Sequence, residues 1–454
     1  MSRKFKTPDY EATLSQTISL SEALPPNHLA RFVVDVIAHL DLSMIYRRYA
    51  PSGGEAIAPE ILLGLLFYGY ATGVFSSRQI ERGTYESIPV RFVAGGVHPD
   101  HDTIAHFRKI FLVELQDLFV QILLLAQAAH VLKLGNISID GSKIHADASK
   151  SHAVSYKHLL KLEAQLRQEV HELLTLGERA DQGDLVLPDD LVIPDEVALR
   201  QERLLNLAQA KAVLEARAKD RDAAELAEYE AKVRERDEKA RTSGRKPGGR
   251  PPAPPTPGPR DSDQYNFTDP DSRMMKNSSN AGFDQHYNVQ AVVDQASLLI
   301  VATTLSNHPN DTHEAEPDLA AIPTELGTPA AAALDTGYWG PATLRALEGR
   351  GIDAYVATGR EAHHVSWQAF FAEDSPPPPA DASPKVKMAY KLKTEIGQAI
   401  YRLRKCTVEP VIGIIKEVLG FRQFSLRGLR AAAGEWCLVC LAFNLKRLHV
   451  LLAR

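Results

Sequence analysis

The chain has 454 residues, an apolar fraction of 44% and a formal net charge of −5, which predict a globular protein of about two or three domains at roughly 150 residues each. The overall charge carries no sign of nucleic-acid binding, and three cysteines are too few for a disulfide framework, which fits a reduced cytosol. The N-terminal stretch MSRKFKTPDYEAT predicts no signal peptide, and the longest apolar runs are shorter than the ~20 residues that a membrane span needs.

Apolar residues at helical spacing predict that residues 1–130 form an all-helical domain. Pro59 suits the first turn of a helix that runs to about Ala71, and Asp102 or Thr103 is placed to cap a later one. Arginine and lysine side chains are scattered among these helices. A helical DNA-binding module and a plain helical bundle are both compatible with this pattern.

A short strand is predicted next, because Ile137 and Ile139 alternate with polar residues. We expect this strand to end at Asp140 and Gly141, since Asp-Gly is a common turn.

Residues 151–262 have a different composition from the chain on either side. Two long amphipathic stretches rich in Glu, Lys, Arg, Ala and Leu are joined by a polar loop and followed by the Pro/Gly-rich linker SGRKPGGRPPAPPTPGPR. This pattern predicts an antiparallel helical hairpin or coiled coil. We interpret it as an insertion between two pieces of one compact domain, residues 131–150 and 263–454.

Strand signals resume in the second piece. The segments QHYNVQAVVD and ASLLIVATTL predict a β-hairpin, PAAAALDTGYWG a short strand that ends in Asp335, PATLRALEGRG a helix, and IDAYVAT another strand. Residues 360–384 are polar and Pro-rich and predict a loop, and the remainder is expected to be helical. A hairpin followed by βαβ units predicts an α/β domain with a mixed sheet.

The segment YRLRKCTVEPVIGIIKEVLGF places one carboxylate, Glu409, in a basic stretch. Between Lys385 and Arg430 there are eleven Lys or Arg against three Glu, a local net charge of +8 that suits a phosphate-binding face. Pro410 disfavours the helical conformation for the preceding residue and fits a first turn. We therefore expect a helix to begin here, with Glu409 at or beside its N-cap.

The same segment predicts which side chains of that helix are buried. Glu409, Gly413 and Lys416 are expected to share an adjacent face that could lie against a phosphodiester. Further on, the C-x2-C in EWCLVCLAFNL stands among apolar residues and predicts a buried helix rather than a metal site. The expected buried stripe comprises Val408, Val411, Ile412, Ile415, Val418 and Leu419.

Three acids are candidates for chemistry: Asp140 and Asp335 at predicted strand ends, and Glu409 at a predicted helix start. Three carboxylates can hold oxygen-preferring ions such as Mg²⁺ or Mn²⁺. Two such ions about 4 Å apart can activate a water or a 3′-hydroxyl and stabilise the leaving oxygen of a phosphodiester. Each acid alone also has a structural explanation, since Asp-Gly is a common turn and Glu before Pro a common cap.

Several blocks of this sequence resemble DDE transposases of bacterial insertion sequences. TVEPVIGIIKEVLGFRQFSLRGL with GEWCLVCLAFNLKRL resembles their C-terminal signature, SIDGSKIHADASK their first-aspartate block, and LDTGYWGPATLRALEGRGIDAYV their second. DPDSRMMK and YNVQAVVD match in the same order, and the helical segment from APEILLGLLFYG to HDTIAHFRK resembles the domain that precedes the catalytic core in this group. The resemblance covers nearly the whole chain apart from the charged insertion.

The resemblance implies an α/β fold: an RNase H-like catalytic core with a mixed sheet, an N-terminal all-helical domain and a helical-hairpin insertion. It implies DNA cleavage and strand transfer at the ends of a mobile element, with two Mg²⁺ or Mn²⁺ ions and no covalent protein–DNA intermediate. Asp140, Asp335 and Glu409 would be the catalytic, metal-binding triad. The implied partners are double-stranded DNA, as terminal inverted repeats and target DNA, and a second copy of the chain in a homodimer. The implied location is the bacterial cytoplasm at the nucleoid, with no membrane.

Many relatives also carry Tyr-x2-Arg-x3-Glu-x6-Lys around the last acid. Here Tyr401 and Arg404 keep the first spacing, and Glu409 and Lys416 keep the last. The middle interval is one residue longer unless Lys405 takes the place of the arginine, so the separate roles of Arg404 and Lys405 stay open. The expected DNA contacts are Tyr401, Arg404, Lys405 and Lys416.

Three rival interpretations remain. His145, His308, Asp311 and His313 lie near these blocks and would suit a zinc-dependent hydrolase, although no HExxH or comparable spacing supports one. A catalytically silent, transposase-derived DNA-binding regulator would share the fold, but the presence of all three acids argues against it. A structural or oligomerising role would explain the helical hairpin alone, which we expect to serve in dimerisation or in contact with a DNA end.

Overall fold

The computed structural model describes residues 19–50, 56–188, 190–244, 248–277, 282–359 and 376–453. The chain divides into two compact units. Unit 1 comprises Met1–Asp147, Asn277–Ser279 and His286–Arg454, and unit 2 comprises Ala148–Lys276 and Asn280–Gln285.

Unit 1 begins with short helices, as the apolar periodicity predicts. Pro59 begins its helix as predicted. The cap before HDTIAHFRK is Asp100 rather than Asp102 or Thr103, because Asp100 keeps an extended backbone and its carboxylate accepts from the Thr103 N–H at 2.7 Å. The helices are α1 (Leu20–Ala23), α2 (Leu29–Ile37), α3 (Ser43–Tyr46), α4 (Pro59–Ala71), α5 (Ser77–Glu86), α6 (Ile88–Val93), α7 (His101–Ile110) and α8 (Leu112–Ala128).

None of the described helices is by itself long and apolar enough to cross a membrane. Helices α7 and α8 are long and apolar enough to span a membrane only when they are counted together, and they are bent by 76° to each other. Buried core helices can be equally long and apolar.

The first strand, β1 (Asn136–His145), confirms the strand predicted around Ile137 and Ile139. The expectation that it ends at Asp140 and Gly141 is wrong. A partner strand pairs with it antiparallel from Ile137 to His145, so this long-range pairing overrides the local tendency of Asp-Gly to turn.

Unit 2 contains two long helices within the range predicted to form a helical hairpin. Two of its helices run antiparallel, since Glu163 pairs with Lys211 at 3.1 Å and Glu169 with Arg200 at 2.8 Å. A small apolar core between them is formed by Val154, Leu159, Leu207, Ala210 and Leu214. The elements of this unit are β2 (Ala153–Ser155), α9 (Tyr156–Asp181), α10 (Ile193–Ser243), β3 (Gln264–Asn266) and β4 (Arg273–Lys276).

The sheet of unit 1 is mixed, as predicted. Its strands lie in the order β6–β5–β1–β7–β8, with β5 antiparallel to both β1 and β6, and with β1, β7 and β8 parallel to one another. The strands that follow β4 are β5 (Phe283–Asp294), β6 (Ile300–Ser306), β7 (Ala331–Leu334) and β8 (Asp353–Val356).

Helices cover this sheet. The last of them packs against α4, α8 and β6, so the N-terminal helices and the sheet share the core of unit 1. Of the loop predicted over 360–384, residues 360–375 lie outside the described part of the chain and residues 376–383 are irregular. The helices are α11 (Ala315–Ala320), α12 (Pro341–Gly349), α13 (Pro384–Lys391), α14 (Glu395–Gly413) and α15 (Leu429–Leu452).

Helix α14 corrects the prediction for Glu409. The helix begins at Glu395, capped by the Thr394 hydroxyl, which accepts from the Gly397 N–H at 3.1 Å, and it runs through Pro410 without a break. Glu409 is therefore in its interior, not at an N-cap. Because Pro410 has no N–H, the carbonyl of Cys406 lacks the hydrogen-bond donor that a helix normally provides. Cys406 is on an exposed side of the helix, so water can donate to this carbonyl instead.

A π-helical turn, Ile414–Val418, follows α14 and changes the register of the buried stripe. The prediction is wrong for Val418, which is 70% exposed, because the wider turn rotates the side chains that follow it. The C-x2-C cysteines lie buried in α15, as predicted. The rest of the predicted stripe is buried: Val408, Val411, Ile412, Ile415 and Leu419.

Candidate active site

Asp140, Asp335 and Glu409 converge on one guanidinium group. Arg404 donates from Nη1 to Asp140 Oδ2 at 3.0 Å and from Nη2 to Glu409 Oε1 at 2.9 Å. The same Nη2 lies 4.0 Å from Asp335 Oδ1. Residues that are far apart in the sequence therefore form one cluster of three carboxylates around a single cation.

The parallel pairing of β1 and β7 brings the two aspartates together. Ile139 is the register partner of Leu334, so the next residues along these neighbouring strands are Asp140 and Asp335. Asp140 is held within β1, whereas Asp335 follows β7 directly, as predicted, and its Oδ1 accepts from the Thr336 N–H at 2.6 Å. β7 ends opposite Ile139, so the carboxyl end of β7 lies beside the middle of β1 and both acids stand at the same point of the sheet.

Helix α14 supplies Glu409 and Arg404 by packing on β1 and β7. The side chains of Asp335 and Glu409 are 48% and 46% exposed, whereas that of Asp140 is 20% exposed. The cluster therefore has one largely buried carboxylate at its base and two that border solvent.

The electrostatics of the cluster follow from this burial. Burial is the largest influence on Asp140 and raises its pKa to about 6, with smaller upward effects from Asp335 and Asp311. The Arg404 guanidinium and the Gly141 N–H oppose that rise. Burial also disfavours the charge on Arg404, but the neighbouring carboxylates more than offset it and raise the pKa of Arg404 above its ordinary value. Three carboxylates around one permanent cation leave the cluster with uncompensated negative charge.

The position of Arg404 answers the spacing question that the sequence left open. Its side chain is 6% exposed and lies among the acids, with its guanidinium 5.9 Å from the Tyr401 ring centroid, whereas Lys405 is on the exposed side of α14. Tyr401 is buried. The Arg404 Nε is a buried atom that finds no acceptor among the described residues, so the guanidinium is not fully satisfied in this arrangement.

Lys416 lies beside β1 rather than beside Glu409. Its Nζ donates to Ser142 Oγ at 3.1 Å and to the Lys143 carbonyl at 3.3 Å, and burial lowers its pKa. A Cβ added at Gly413 would have no heavy atom within 4 Å, which leaves open surface between the two side chains. Lys416 therefore flanks the carboxylate cluster, because it contacts Ser142, which is two residues after Asp140 on β1.

A fourth acid, Asp311, lies close to the cluster, although the sequence analysis names it only as a member of a rival zinc site. Its Oδ1 accepts from Asn288 Nδ2 and from Gln290 Nε2, each at 2.8 Å. Asp311 stands in the loop between β6 and α11, where no periodicity marks it. Proximity to Asp140 arises only when β5 pairs with β1, so no sequence signal could have found it.

The histidines of the rival zinc site have other neighbours. The His145 ring lies 4.3 Å from that of His286, and His308 Nδ1 lies 2.7 Å from Glu314 Oε1. Within the ranges that the structure describes, no group of three or more His, Cys, Asp or Glu side chains has the arrangement that would hold a metal ion. In the cluster of Asp140, Asp335 and Glu409, the carboxylates face the guanidinium of Arg404 instead.

Comparison with protein families gives two matches. Residues 18–110 match a transposase domain (DUF772), and residues 380–449 match a transposase DDE domain. The second range contains Arg404 and Glu409, whereas Asp140 and Asp335 lie outside both ranges. Neither the comparison with curated proteins nor that with solved structures gave a match. The two matches, a transposase domain in the N-terminal helices and a transposase DDE domain around Glu409, support a DDE transposase of insertion-sequence type.

Proposed function

We propose that Asp140, Asp335 and Glu409 bind two divalent cations, Mg²⁺ or Mn²⁺, and catalyse DNA strand cleavage and strand transfer at the ends of an insertion sequence. The observation that carries this proposal is the convergence of the three carboxylates on Arg404. A structural ion pair needs one carboxylate for one guanidinium, so two further acids at the same point favour a cation-binding role.

The sheet supports an RNase H-like core. Its order, β6–β5–β1–β7–β8, begins with an antiparallel meander and continues with two parallel strands. The first acid lies on the central strand and the second directly after its parallel neighbour. This placement of the two acids is in line with the fold that the family resemblance implies.

The chemistry of the donors fits a divalent cation. Carboxylate oxygens are the ligands that Mg²⁺ and Mn²⁺ prefer, and the cluster keeps negative charge that Arg404 alone does not balance. Asp140, Asp335 and Glu409 would hold the ions, and Arg404 would withdraw from at least one carboxylate as they bind. Bound ions of this kind activate an attacking hydroxyl and stabilise the charge on the leaving oxygen.

Arg404 has a second acceptor available in this scheme. Its Nη2 lies beside the two more exposed carboxylates and suits an exchange from those acids to a DNA phosphate. Lys405 on the outer side of α14 and Lys416 beside β1 would add contacts to the DNA backbone. The Tyr401 ring would pack against the Arg404 guanidinium and hold it in place. We propose double-stranded DNA, as terminal repeats and target, as the partner of a homodimer.

The test is a cleavage assay with full-length protein, a labelled duplex that carries the terminal inverted repeat, and Mg²⁺. The single variants Asp140→Asn, Asp335→Asn and Glu409→Gln should each abolish cleavage while binding of the duplex in a gel-shift assay persists. Glu417→Gln is the matched control, because Glu417 is an exposed acid near Glu409 that pairs with Arg422. Cleavage that survives in all three variants contradicts the assignment. Binding without cleavage by the wild type would indicate the silent regulator instead.

A further inference from the structure

We propose that Asp311 is a fourth carboxylate of the active site and that its Oδ2 binds a divalent cation together with Asp140. This inference rests on the proposed function, since it adds a ligand to the same site. Asp311 lies outside both ranges that the family comparison matches.

Two glycines border Asp311, and the absence of a side chain at Gly141 makes room for it. A Cβ on Gly141 would lie 2.7 Å from Asp311 Oδ1, and one on Gly337 would lie 3.4 Å from Asp311 Oδ2. Gly141 directly follows Asp140, and Gly337 stands two residues after Asp335. The Asp311 carboxylate is therefore enclosed between the backbone segments that carry the first and second acids of the cluster. A side chain at Gly141 would displace it.

The two oxygens of Asp311 have different surroundings. Oδ1 accepts from the amides of Asn288 and Gln290, both of which are buried on β5. Across the ranges that the structure describes, no donor reaches Oδ2. One oxygen is thus anchored while the other keeps its lone pairs for a ligand.

The side chain of Gln290, which binds Asp311, is itself fixed in orientation. Gln290 Oε1 accepts from the Tyr338 hydroxyl, so its Nε2 must be the group that faces Asp311. The Gln290 backbone pairs with Gly141 in the β1–β5 ladder. Carboxylates that ligate metals are held in this way by hydrogen bonds from a second layer of side chains, and those partners orient the free oxygen. A loop carboxylate whose only role is to tie β6 to β5 would need no space cleared beside Asp140.

The test measures Mn²⁺ binding by isothermal titration calorimetry on the full chain without DNA, so that its readout is independent of activity. Asp311→Asn keeps the size of the side chain and removes its charge. We expect it to weaken Mn²⁺ binding about 10-fold or more, the scale on which loss of groups around a metal acts. Glu325→Gln, which removes an exposed acid elsewhere in unit 1, should bind Mn²⁺ as the wild type does.

Asp140→Asn separates failure of this inference from failure of the proposed function. If Asp140→Asn weakens Mn²⁺ binding and Asp311→Asn does not, Asp311 is no ligand and the three-acid site stands. If neither variant differs from the wild type, the proposed metal site fails as well.

Asp311→Glu keeps the test valid if Asp311→Asn lowers the melting temperature. It restores the charge with one extra methylene, so affinity should recover relative to Asp311→Asn. Equal affinities for the Asn and Glu variants would overturn the inference.

Discussion

Neutralising Asp140 should stabilise the metal-free protein at neutral pH while it abolishes activity. Asp140 lies within β1 and its pKa is raised from 3.8 to about 6, chiefly by burial. The unfolded chain releases this proton near pH 3.8 and the folded chain near pH 6. The folded state therefore binds more protons in that window, and stability falls as the pH rises from about 4 to about 6.

The magnitude follows from the two pKa values. A difference of one pH unit corresponds to about 1.4 kcal/mol, so ionised Asp140 costs the folded state on the order of 3 kcal/mol above pH 6. Asn carries no charge to bury. We expect Asp140→Asn to increase the free energy of unfolding by about 1–3 kcal/mol at pH 7.5 and to leave it nearly unchanged at pH 4.

Urea unfolding in the presence of a chelator measures this difference. Trp436 is buried in α15 within unit 1, so tryptophan fluorescence follows the unit that contains the cluster. Asp353→Asn is the control, because burial there is outweighed by the combined effect of hydrogen bonds from Lys391 and Tyr355 and the charge of Lys391, which lower the pKa of Asp353. That variant should show no gain at pH 7.5. The reasoning is refuted if Asp140→Asn is less stable than the wild type at pH 7.5, or if its gain is equal at both pH values.

Three further substitutions test the packing around the site. Gly141→Ala should reduce Mg²⁺-dependent DNA cleavage and lower the free energy of unfolding in urea by about 1–3 kcal/mol, because its Cβ would lie 2.4 Å from Gln290 Nε2. Wild-type cleavage together with a wild-type urea midpoint would contradict this prediction. Glu435→Gln should cost about 3 kcal/mol in urea unfolding, because it removes a fully buried negative charge whose Oε1 lies 3.9 Å from Arg108 Nη1 and leaves that buried guanidinium unbalanced; an unchanged midpoint would show that the charge is dispensable. Gly397→Ala places a Cβ 2.0 Å from the Lys391 carbonyl oxygen and should shift α14. We expect a lower melting temperature together with weaker DNA cleavage. Normal cleavage would show that the start of this helix does not position the site.

The strands of the sheet could be predicted because their residues carry local patterns. Alternation around Ile137 and Ile139 and the short apolar run before Asp335 both predict strands that the structure contains. Asp335 was placed correctly for the same reason, since a turn directly follows a fully buried strand. The order of the strands is set by long-range pairing and could be expected only from the family resemblance.

Local rules failed where tertiary contacts outweigh them. Asp140 and Gly141 stay extended because β5 pairs along the whole of β1, although the dipeptide favours a turn. Pro410 stays within α14 because the buried Val408 and Val411 on either side of it lie in the apolar core of the protein. Burial of these side chains outweighs the loss of one helical hydrogen bond.

The candidate site could likewise be predicted only in part. The three acids could be named from the sequence, yet their convergence on Arg404 depends on β1, β7 and α14 packing together. The part played by Arg404 rather than Lys405 could not be decided from spacing that departs from the common pattern.

The central claim is that Asp140, Asp335 and Glu409 share one divalent-cation site. Fe²⁺ substituted for Mg²⁺, with ascorbate and peroxide, generates radicals that cut the protein backbone next to the bound ion, and mass spectrometry of the fragments locates the cuts. The account predicts groups of cuts near residues 140, 335 and 409, and near residue 311 where Asp311 is also a ligand, all suppressed by excess Mg²⁺. Cuts concentrated elsewhere in the chain, or cuts at these positions that excess Mg²⁺ leaves unchanged, would contradict it.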